Sequence, residues 1–287
     1  MNYLEKLIKS SEESGNCICM GLDFQQEYLP VKSGDFHNDV ESYCKDLFEA
    51  MSKEDLTPAA FKPNIGYYTI HDKPRKNDFS GSITLSSVLD LLEEYFPNIP
   101  VILDSKRGDI ARSSLNYAFE AFESWQTDSV TISPYMGTDS IEPFNFENKG
   151  IYILNRTSNS GASDLQNLVL ENNEPLYKKV ASQIIRWAEK HSGVGAVVGA
   201  TSEKELKEIA SFYASKNIPL LIPGVGSQGA SAQKTIEILK EANYPIKLAR
   251  INSSSNLTHP WKDEDTPKDY LEMALDNIAS LIKECQI

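Results

Sequence analysis

The chain has 287 residues, a hydrophobic fraction of 40% and a formal net charge of −13 at pH 7. This length suits one large domain, and the acidic balance argues against nucleic acids or anionic membranes as partners. No apolar run approaches the roughly 18 residues of a membrane helix, and the first residues lack the apolar core of a signal peptide. We therefore expect a single domain over residues 1–287.

Cysteine and histidine usage indicates the compartment and argues against a metal site. The four cysteines show no paired framework, which suits the reducing cytoplasm. The four histidines are scattered without the spacing of zinc ligands. The cysteines are Cys17, Cys19, Cys44 and Cys285.

Short apolar runs alternate with helical patterns along the chain. Residues 2–14 predict a leading helix, and 40–51 show the period of an amphipathic helix. Polar loops are expected at 71–82 and 156–173. Further helical stripes cover parts of 88–95, 111–122, 176–187, 206–213, 236–239 and 270–281. Strands are expected at 17–23, 58–63, 100–103, 128–133, 150–155, 195–200, 218–222 and 246–251.

Eight strand–helix units in about 270 residues predict the α/β fold of a TIM (β/α)8 barrel with an extra N-terminal helix. An open, doubly wound sheet is the alternative. In a barrel, the carboxyl ends of all eight strands face one mouth, where the chemistry of this fold takes place. Residues that end different strands would then meet there.

The third strand ends in a charged motif. Asp104 and Lys106 lie two apart and would project side by side, while Gly108 allows a tight turn and Asp109 opens the next helix. A simpler interpretation makes Asp109 a helix N-cap and Lys106 a solvated lysine paired with Asp104.

Asp23 ends the first strand and Lys62 ends the second. With Asp104 and Lys106 they would form an array of alternating sign at the barrel mouth. Each charge would offset the desolvation of its neighbours, which would keep Lys106 cationic.

A glycine-rich segment, Pro-Gly-Val-Gly-Ser-Gln-Gly at 223–229, follows the seventh strand. Its G-x-G-x-x-G pattern would indicate a dinucleotide site only after the first strand of a Rossmann half. After strand seven of a barrel it favours phosphate binding through backbone N–H groups. A turn without a ligand is the remaining interpretation.

Taken together, these motifs resemble the orotidine 5′-phosphate decarboxylase family, in particular its longer-chain subfamily. The match runs from about residue 17 to about residue 256 in family order. The segments are GLD at 21–23, FKP at 61–63, LDSKRGDI at 103–110, SPYMG at 133–137, NRTSN at 155–159 and PGVGSQG at 223–229.

The resemblance implies a homodimeric barrel that needs no cofactor and no metal. It would convert orotidine 5′-phosphate to UMP, the last step of de novo UMP synthesis. Lys106 would protonate pyrimidine C6, Asp104 would face the substrate carboxylate, and Lys62 would lie beside Asp104 and the ribose. Asp109 would reach into the partner's site and complete the charged tetrad.

The same resemblance implies the other substrate contacts. Ser113 would touch the ribose across the dimer and Asp23 would accept from a ribose hydroxyl. Ser158 would contact the pyrimidine edge, Gln228 would lie near the pyrimidine and phosphate, and Gly226 belongs to the phosphate loop.

One position departs from the family pattern. By register, Ser255 stands where the family carries an arginine that clamps the phosphate, and Arg250 falls within strand eight. Backbone N–H groups of 224–229, helped by Asn256, would then bind the phosphate.

Two other functions fit parts of the pattern. Magnesium-dependent sugar-phosphate decarboxylases and aldolases of this superfamily share the Asp-x-Lys-x-x-Asp motif. A non-catalytic binder of phosphoribosyl ligands would explain the missing arginine.

Overall fold

Eight parallel strands form a barrel in a computed structural model, which describes residues 1–226, 229–262 and 264–287. Each short apolar run became a strand because both of its faces are covered, one by helices and one by the barrel interior. The strands are β1 (Ile18–Gly21), β2 (Ala60–Lys62), β3 (Ile102–Arg107), β4 (Ser129–Ile132), β5 (Gly150–Arg156), β6 (Val194–Val198), β7 (Leu220–Ile222) and β8 (Ala249–Ser253).

Neighbouring strands pair in the order β2-β1-β8-β7-β6-β5-β4-β3. The ring closes between β2 and β3 through parallel bridges from Phe61 to Val101 and from Asn64 to Asp104. Because the two outer strands of the sheet meet, the predicted TIM barrel is confirmed and the open-sheet alternative is wrong.

Helices surround the barrel and cover the outer faces of the strands. The predicted period of 40–51 is confirmed, with Val40, Leu47 and Met51 fully buried. None of the described helices is long and apolar enough to cross a bilayer. The helices are α1 (Tyr3–Ser14), α2 (Phe36–Lys53), α3 (Ile65–Thr69), α4 (Ser80–Tyr95), α5 (Ala111–Phe119), α6 (Thr138–Ile141), α7 (Leu176–Ala188), α8 (Glu203–Tyr213), α9 (Ala232–Glu241), α10 (Ser255–Thr258) and α11 (Tyr270–Glu284).

The leading helix α1 closes the end of the barrel opposite the mouth. The Tyr3 hydroxyl lies within hydrogen-bond distance of Ser129 Oγ, at 2.8 Å, and of the Tyr152 hydroxyl, at 3.2 Å. A side chain at Gly150 would put its Cβ 2.2 Å from the Tyr3 ring, so only glycine leaves room for this contact. α1 therefore acts as the floor of the barrel.

Two expected boundaries are wrong, and both expected loops contain a short 3-10 segment. β8 starts at Ala249 rather than at residue 246, because Pro245 begins a 3-10 turn closed by a bond from Leu248 N to Pro245 O at 2.8 Å. The expected loop 71–82 contains a 3-10 turn at Pro74–Lys76 and the start of α4. The expected loop 156–173 contains a 3-10 helix at Ser160–Asp164.

Candidate active site

The ends of β1, β2 and β3 bring four charged side chains together at the mouth. Lys62 Nζ lies 3.0 Å from Asp104 Oδ2 and 4.0 Å from Asp23 Oδ1. Lys106 Nζ lies 2.6 Å from Asp104 Oδ1. Asp104 thus accepts one ammonium group on each carboxylate oxygen, and Lys62 lies between two carboxylates.

These contacts keep the buried members ionised at neutral pH. Burial alone would raise the pKa of Asp104, but the Lys62 and Lys106 ammonium groups outweigh it and hold that pKa well below its usual range. Burial alone would lower the pKa of Lys62, but Asp104 and Asp23 outweigh it and hold that pKa above its usual value. The site therefore keeps a buried cation and a buried anion in contact.

Lys106 differs from Lys62 in its exposure and its backbone. About half of its side chain, 49%, is open to the mouth, against 5% for Lys62. Its φ of 47° lies in the left-handed region, which costs a non-glycine residue about 1 kcal/mol or more. In this conformation the ammonium group of Lys106 contacts Asp104 and remains accessible to a ligand.

Thr131 of β4 supports this strained turn, and sequence reasoning missed it. Its Oγ1 accepts hydrogen bonds from Ser105 N and Lys106 N, both at 3.0 Å. The same hydroxyl donates to Asp104 Oδ1 at 2.7 Å. One side chain thus fixes both the carboxylate and the lysine backbone. The sequence does contain a pattern that could have indicated Thr131: polar residues at 129, 131 and 133 alternate with apolar ones and so point to the same face of the predicted strand.

Asp23 is the remaining carboxylate of the array, and its charge also acts on the nearby Tyr67. Burial, followed by the Asp23 carboxylate, raises the pKa of the Tyr67 phenol. Asp23 Oδ1 is buried and accepts no hydrogen bond from the described part of the chain. The carboxylate of Asp23 therefore retains acceptor capacity for a ligand hydroxyl.

Asp109 and Ser113 follow β3 but do not join the array. Asp109 does not open the helix as expected, because α5 starts at Ala111 and has no side-chain cap. Its carboxylate accepts from Ile110 N at 2.8 Å and forms no ion pair with any described residue. Ser113 is partly exposed in the first turn of α5.

Ser158 follows β5 and lies against the end of β6. A Cβ at Gly199 would approach within 2.6 to 2.7 Å of Ser158, so glycine allows the two backbones to touch. Thr201 Oγ1 donates to Ser158 O at 2.8 Å. These contacts fix the start of the loop that follows β5.

The loops after β7 and β8 meet on the remaining side of the mouth. Gly226 has a φ of 82°, and a Cβ there would lie 2.5 Å from Asn256 Nδ2 and 3.3 Å from Ser253 Oγ. Ser255 begins the one-turn helix α10. Gln228 lies outside the described residues.

Arg250 is at the opposite end of the barrel. It lies in β8, as predicted, and is fully buried. Its guanidinium donates to Ser11 Oγ at 2.9 Å, Ser10 Oγ at 2.7 Å and Leu7 O at 2.6 Å in α1. Arg250 therefore joins β8 to the barrel floor and does not face the mouth.

Comparisons with known proteins agree with this geometry. A model of the orotidine 5′-phosphate decarboxylase / HUMPS family matches residues 17–246. The chain is 35% identical over 266 residues to an orotidine 5′-phosphate decarboxylase of Bordetella avium (strain 197N), an alignment that covers 92% of this chain and 93% of that protein.

Solved structures give the same result. Leishmania donovani OMP decarboxylase superposes with a TM-score of 0.73 at 27% identity, covering 99% of both chains. Leishmania donovani UMP synthase superposes with a TM-score of 0.75 at 30% identity, and the match covers 98% of this chain but 56% of that longer one. The chain belongs to the orotidine 5′-phosphate decarboxylase / HUMPS family.

Proposed function

We propose that this protein converts orotidine 5′-phosphate to UMP and carbon dioxide without a cofactor, and that Lys106 supplies the proton to C6. The observation that carries the proposal is the array at the mouth, where Asp104 contacts Lys62 at 3.0 Å and Lys106 at 2.6 Å. Family membership and the 35% identity to a decarboxylase over most of the chain support the choice of substrate.

The array suits the charge that this reaction develops. Breaking the bond between C6 and the carboxyl carbon releases carbon dioxide and leaves an electron pair on C6 in the plane of the ring. The Lys106 ammonium stabilises that charge as it forms and then transfers one proton to C6. Asp104 holds the Lys106 ammonium group and Thr131 holds the Lys106 backbone before the reaction starts, so little reorganisation is needed.

Asp104 shapes the ground state. Its ionised carboxylate would face the carboxylate of the substrate, and the resulting repulsion is relieved when carbon dioxide leaves. Binding of the ribose and phosphate, both remote from C6, supplies the free energy that holds the two groups together. Asp23 and Ser158 would bind the ribose and the pyrimidine edge, with Gln228 and the 224–229 backbone near the phosphate.

We further propose that two copies of this chain share their sites. Asp109 and Ser113 would reach the partner's array, where Asp109 adds a second carboxylate beside Lys106. Ile110 at 53% exposed and Tyr135 at 85% exposed support this, since both are apolar side chains beside the mouth that a partner could cover.

The decisive test is an ultraviolet assay of orotidine 5′-phosphate loss with EDTA present. We expect full activity in EDTA, because the mechanism uses only side chains. Activity with a sugar phosphate that requires magnesium would replace this proposal with the aldolase-type alternative. Tight UMP binding without turnover at high enzyme concentration would make the protein a ligand binder.

The shared site has a separate test. Lys106→Ala and Asp109→Ala chains are each expected to be inactive alone. When the two are mixed and reassociated, hybrid dimers would contain one site with both native residues, so activity should return. Failure to regain activity in dimers verified by mass would contradict the sharing of Asp109 while leaving the decarboxylation proposal intact.

A further inference from the structure

The place where the β7 and β8 loops meet lacks the arginine that the sequence resemblance led us to expect. In TIM barrels, these two loops often form a phosphate site. Gly226 lies against Asn256 and Ser253, so backbone from one loop and side chains from the other converge there. Arg250, the one arginine near this sequence, is fixed at the barrel floor by five hydrogen bonds.

Another cation lies beside the vacant position. Lys262 Nζ lies 3.4 Å from Ser255 Oγ, although the two residues are seven apart in sequence. The connection doubles back after α10, which brings the lysine to the residue that begins that helix. A positive charge therefore lies next to Ser255, within one residue of the contact between Asn256 and Gly226.

The doubled-back segment is anchored to the barrel wall. Trp261 is buried at 3% exposure, and its Nε1 donates to Tyr28 O at 2.9 Å. Its ring packs edge-on against Tyr43, with ring centroids 6.2 Å apart. A tight turn adds a bond from Lys262 N to His259 O at 3.1 Å. Because Trp261 and the turn are held in this way, the backbone of Lys262, and so the base of its side chain, has a fixed position.

The positive charge of this segment belongs to Lys262 rather than to His259. His259 is buried and stacks on Tyr28 with ring centroids 5.4 Å apart. Burial, followed by the nearby Lys262 ammonium, lowers the pKa of His259 to about 4, so its imidazole is neutral at pH 7. Lys262 forms no ion pair within 4 Å with the parts of the chain that the structure describes.

We propose that Lys262 binds the phosphate of the substrate and takes the place of an arginine at position 255. The inference rests on the proposed function, and it names the residue that recognises the phosphate. Ser255 Oγ and the backbone at Gly226 would complete the site. A lysine binds phosphate as a point charge and does not need the fixed bidentate geometry of arginine. A flexible lysine can therefore bind the phosphate from a neighbouring segment.

The test compares orotidine 5′-phosphate with orotidine, the nucleoside that lacks the phosphate. In Lys262→Met we expect kcat/KM for orotidine 5′-phosphate to fall about 10- to 100-fold, the range for losing a hydrogen bond to a charged group. Turnover of orotidine should not change, since it has no phosphate to bind. Lys240→Met, which removes a lysine from the opposite end of the barrel, is the matched control and should behave as wild type.

A second measurement locates the effect. Calorimetry with UMP and uridine should show that Lys262→Met weakens only UMP binding, and adding Ser255→Arg to that variant should restore it. Equal losses for both substrates, or a Lys262→Met enzyme that matches the Lys240→Met control, would refute the role of Lys262 while the decarboxylation stands. A wild-type enzyme that converts neither substrate would overturn the proposed function and this inference together.

Discussion

The two ends of this barrel each bury a cation, and they stabilise it by opposite means. At the mouth, Lys62 lies between two carboxylates, with Asp104 at 3.0 Å and Asp23 at 4.0 Å. At the floor, the hydrogen bonds that Arg250 donates to described residues all go to neutral oxygens, those of two serine hydroxyls and three backbone carbonyls. Arginine keeps its proton without a counter-charge, whereas a buried lysine needs one.

The difference separates a structural cation from a functional one. Neutral oxygens hold the charged guanidinium of Arg250 in place, and its complete burial keeps it away from any ligand. The two carboxylates around Lys62 are charged hydrogen-bond acceptors at the mouth, where a substrate can contact them. One of them, Asp104, also holds the half-exposed Lys106. Substitutions at the mouth should therefore affect turnover first, and substitutions at the floor should affect folding first.

Lys106→Ala should give the largest effect. We expect kcat to fall by at least about 10⁴-fold, because the variant loses both the charge that stabilises C6 and the proton donor. UMP should still bind, since binding uses the ribose and phosphate contacts. Stopped assays at high enzyme concentration and calorimetry with UMP would measure both. An active Lys106→Ala enzyme would end the assignment of Lys106 as the proton donor.

Arg250→Met tests the other end of the barrel. The buried hydroxyls and carbonyls that accept from Arg250 would lose their donors, so we expect the free energy of unfolding to drop by about 3 kcal/mol or more. Turnover per folded molecule should stay near wild type. Denaturant titration and an activity assay below the transition would measure this. A variant with normal stability and lost turnover would contradict the structural role.

Thr131→Val should reduce turnover strongly, at a moderate cost in stability from the buried groups that lose their partner. Removing the hydroxyl releases Asp104 Oδ1 and the backbone of Ser105 and Lys106, so the lysine is no longer held in place. We expect kcat to fall about 100-fold, typical of misplacing a catalytic group, with KM nearly constant. Thr127→Val, which changes another buried threonine two residues before β4, is the control. An equal fall in both variants would indicate general damage to β4.

The ion pair at the mouth should also have a signature in acid, and this effect should be the smallest. The folded pKa of Asp104 lies below its ordinary value of about 3.9, so its contribution to stability is complete above that pH and is lost as the pH falls further. The difference in unfolding free energy between wild type and Asp104→Asn should shrink below about pH 3.9. Asp46→Asn, a surface change, controls for net charge.

Sequence reasoning succeeded where a residue's role depends on its own strand. Asp23, Lys62, Asp104 and Lys106 each end a short apolar run, so the barrel prediction alone was enough to bring them to one mouth. The helical stripe in α2 was equally readable, because burial on one face requires the period of 3.6 residues.

It failed where a role depends on what another strand or segment presents. Nothing in the sequence around Thr131 says that its hydroxyl will meet Asp104, which lies 27 residues earlier. Likewise, the contact of Lys262 with Ser255 depends on how the chain turns after α10. The start of β8 was misplaced because an apolar composition fits a 3-10 turn as well as a strand.

The packing of α1 against the strands at the lower end of the barrel has a consequence for the order of folding. Tyr3 bonds Ser129 across 126 positions, and Leu7 O accepts from Arg250 across 243. At roughly 5–20 residues per second on the ribosome, the helix waits about 12 to 50 seconds before β8 emerges. α1 is therefore made before the surface that it covers, and its apolar face must remain unpaired or shielded by chaperones until the last strand closes the ring.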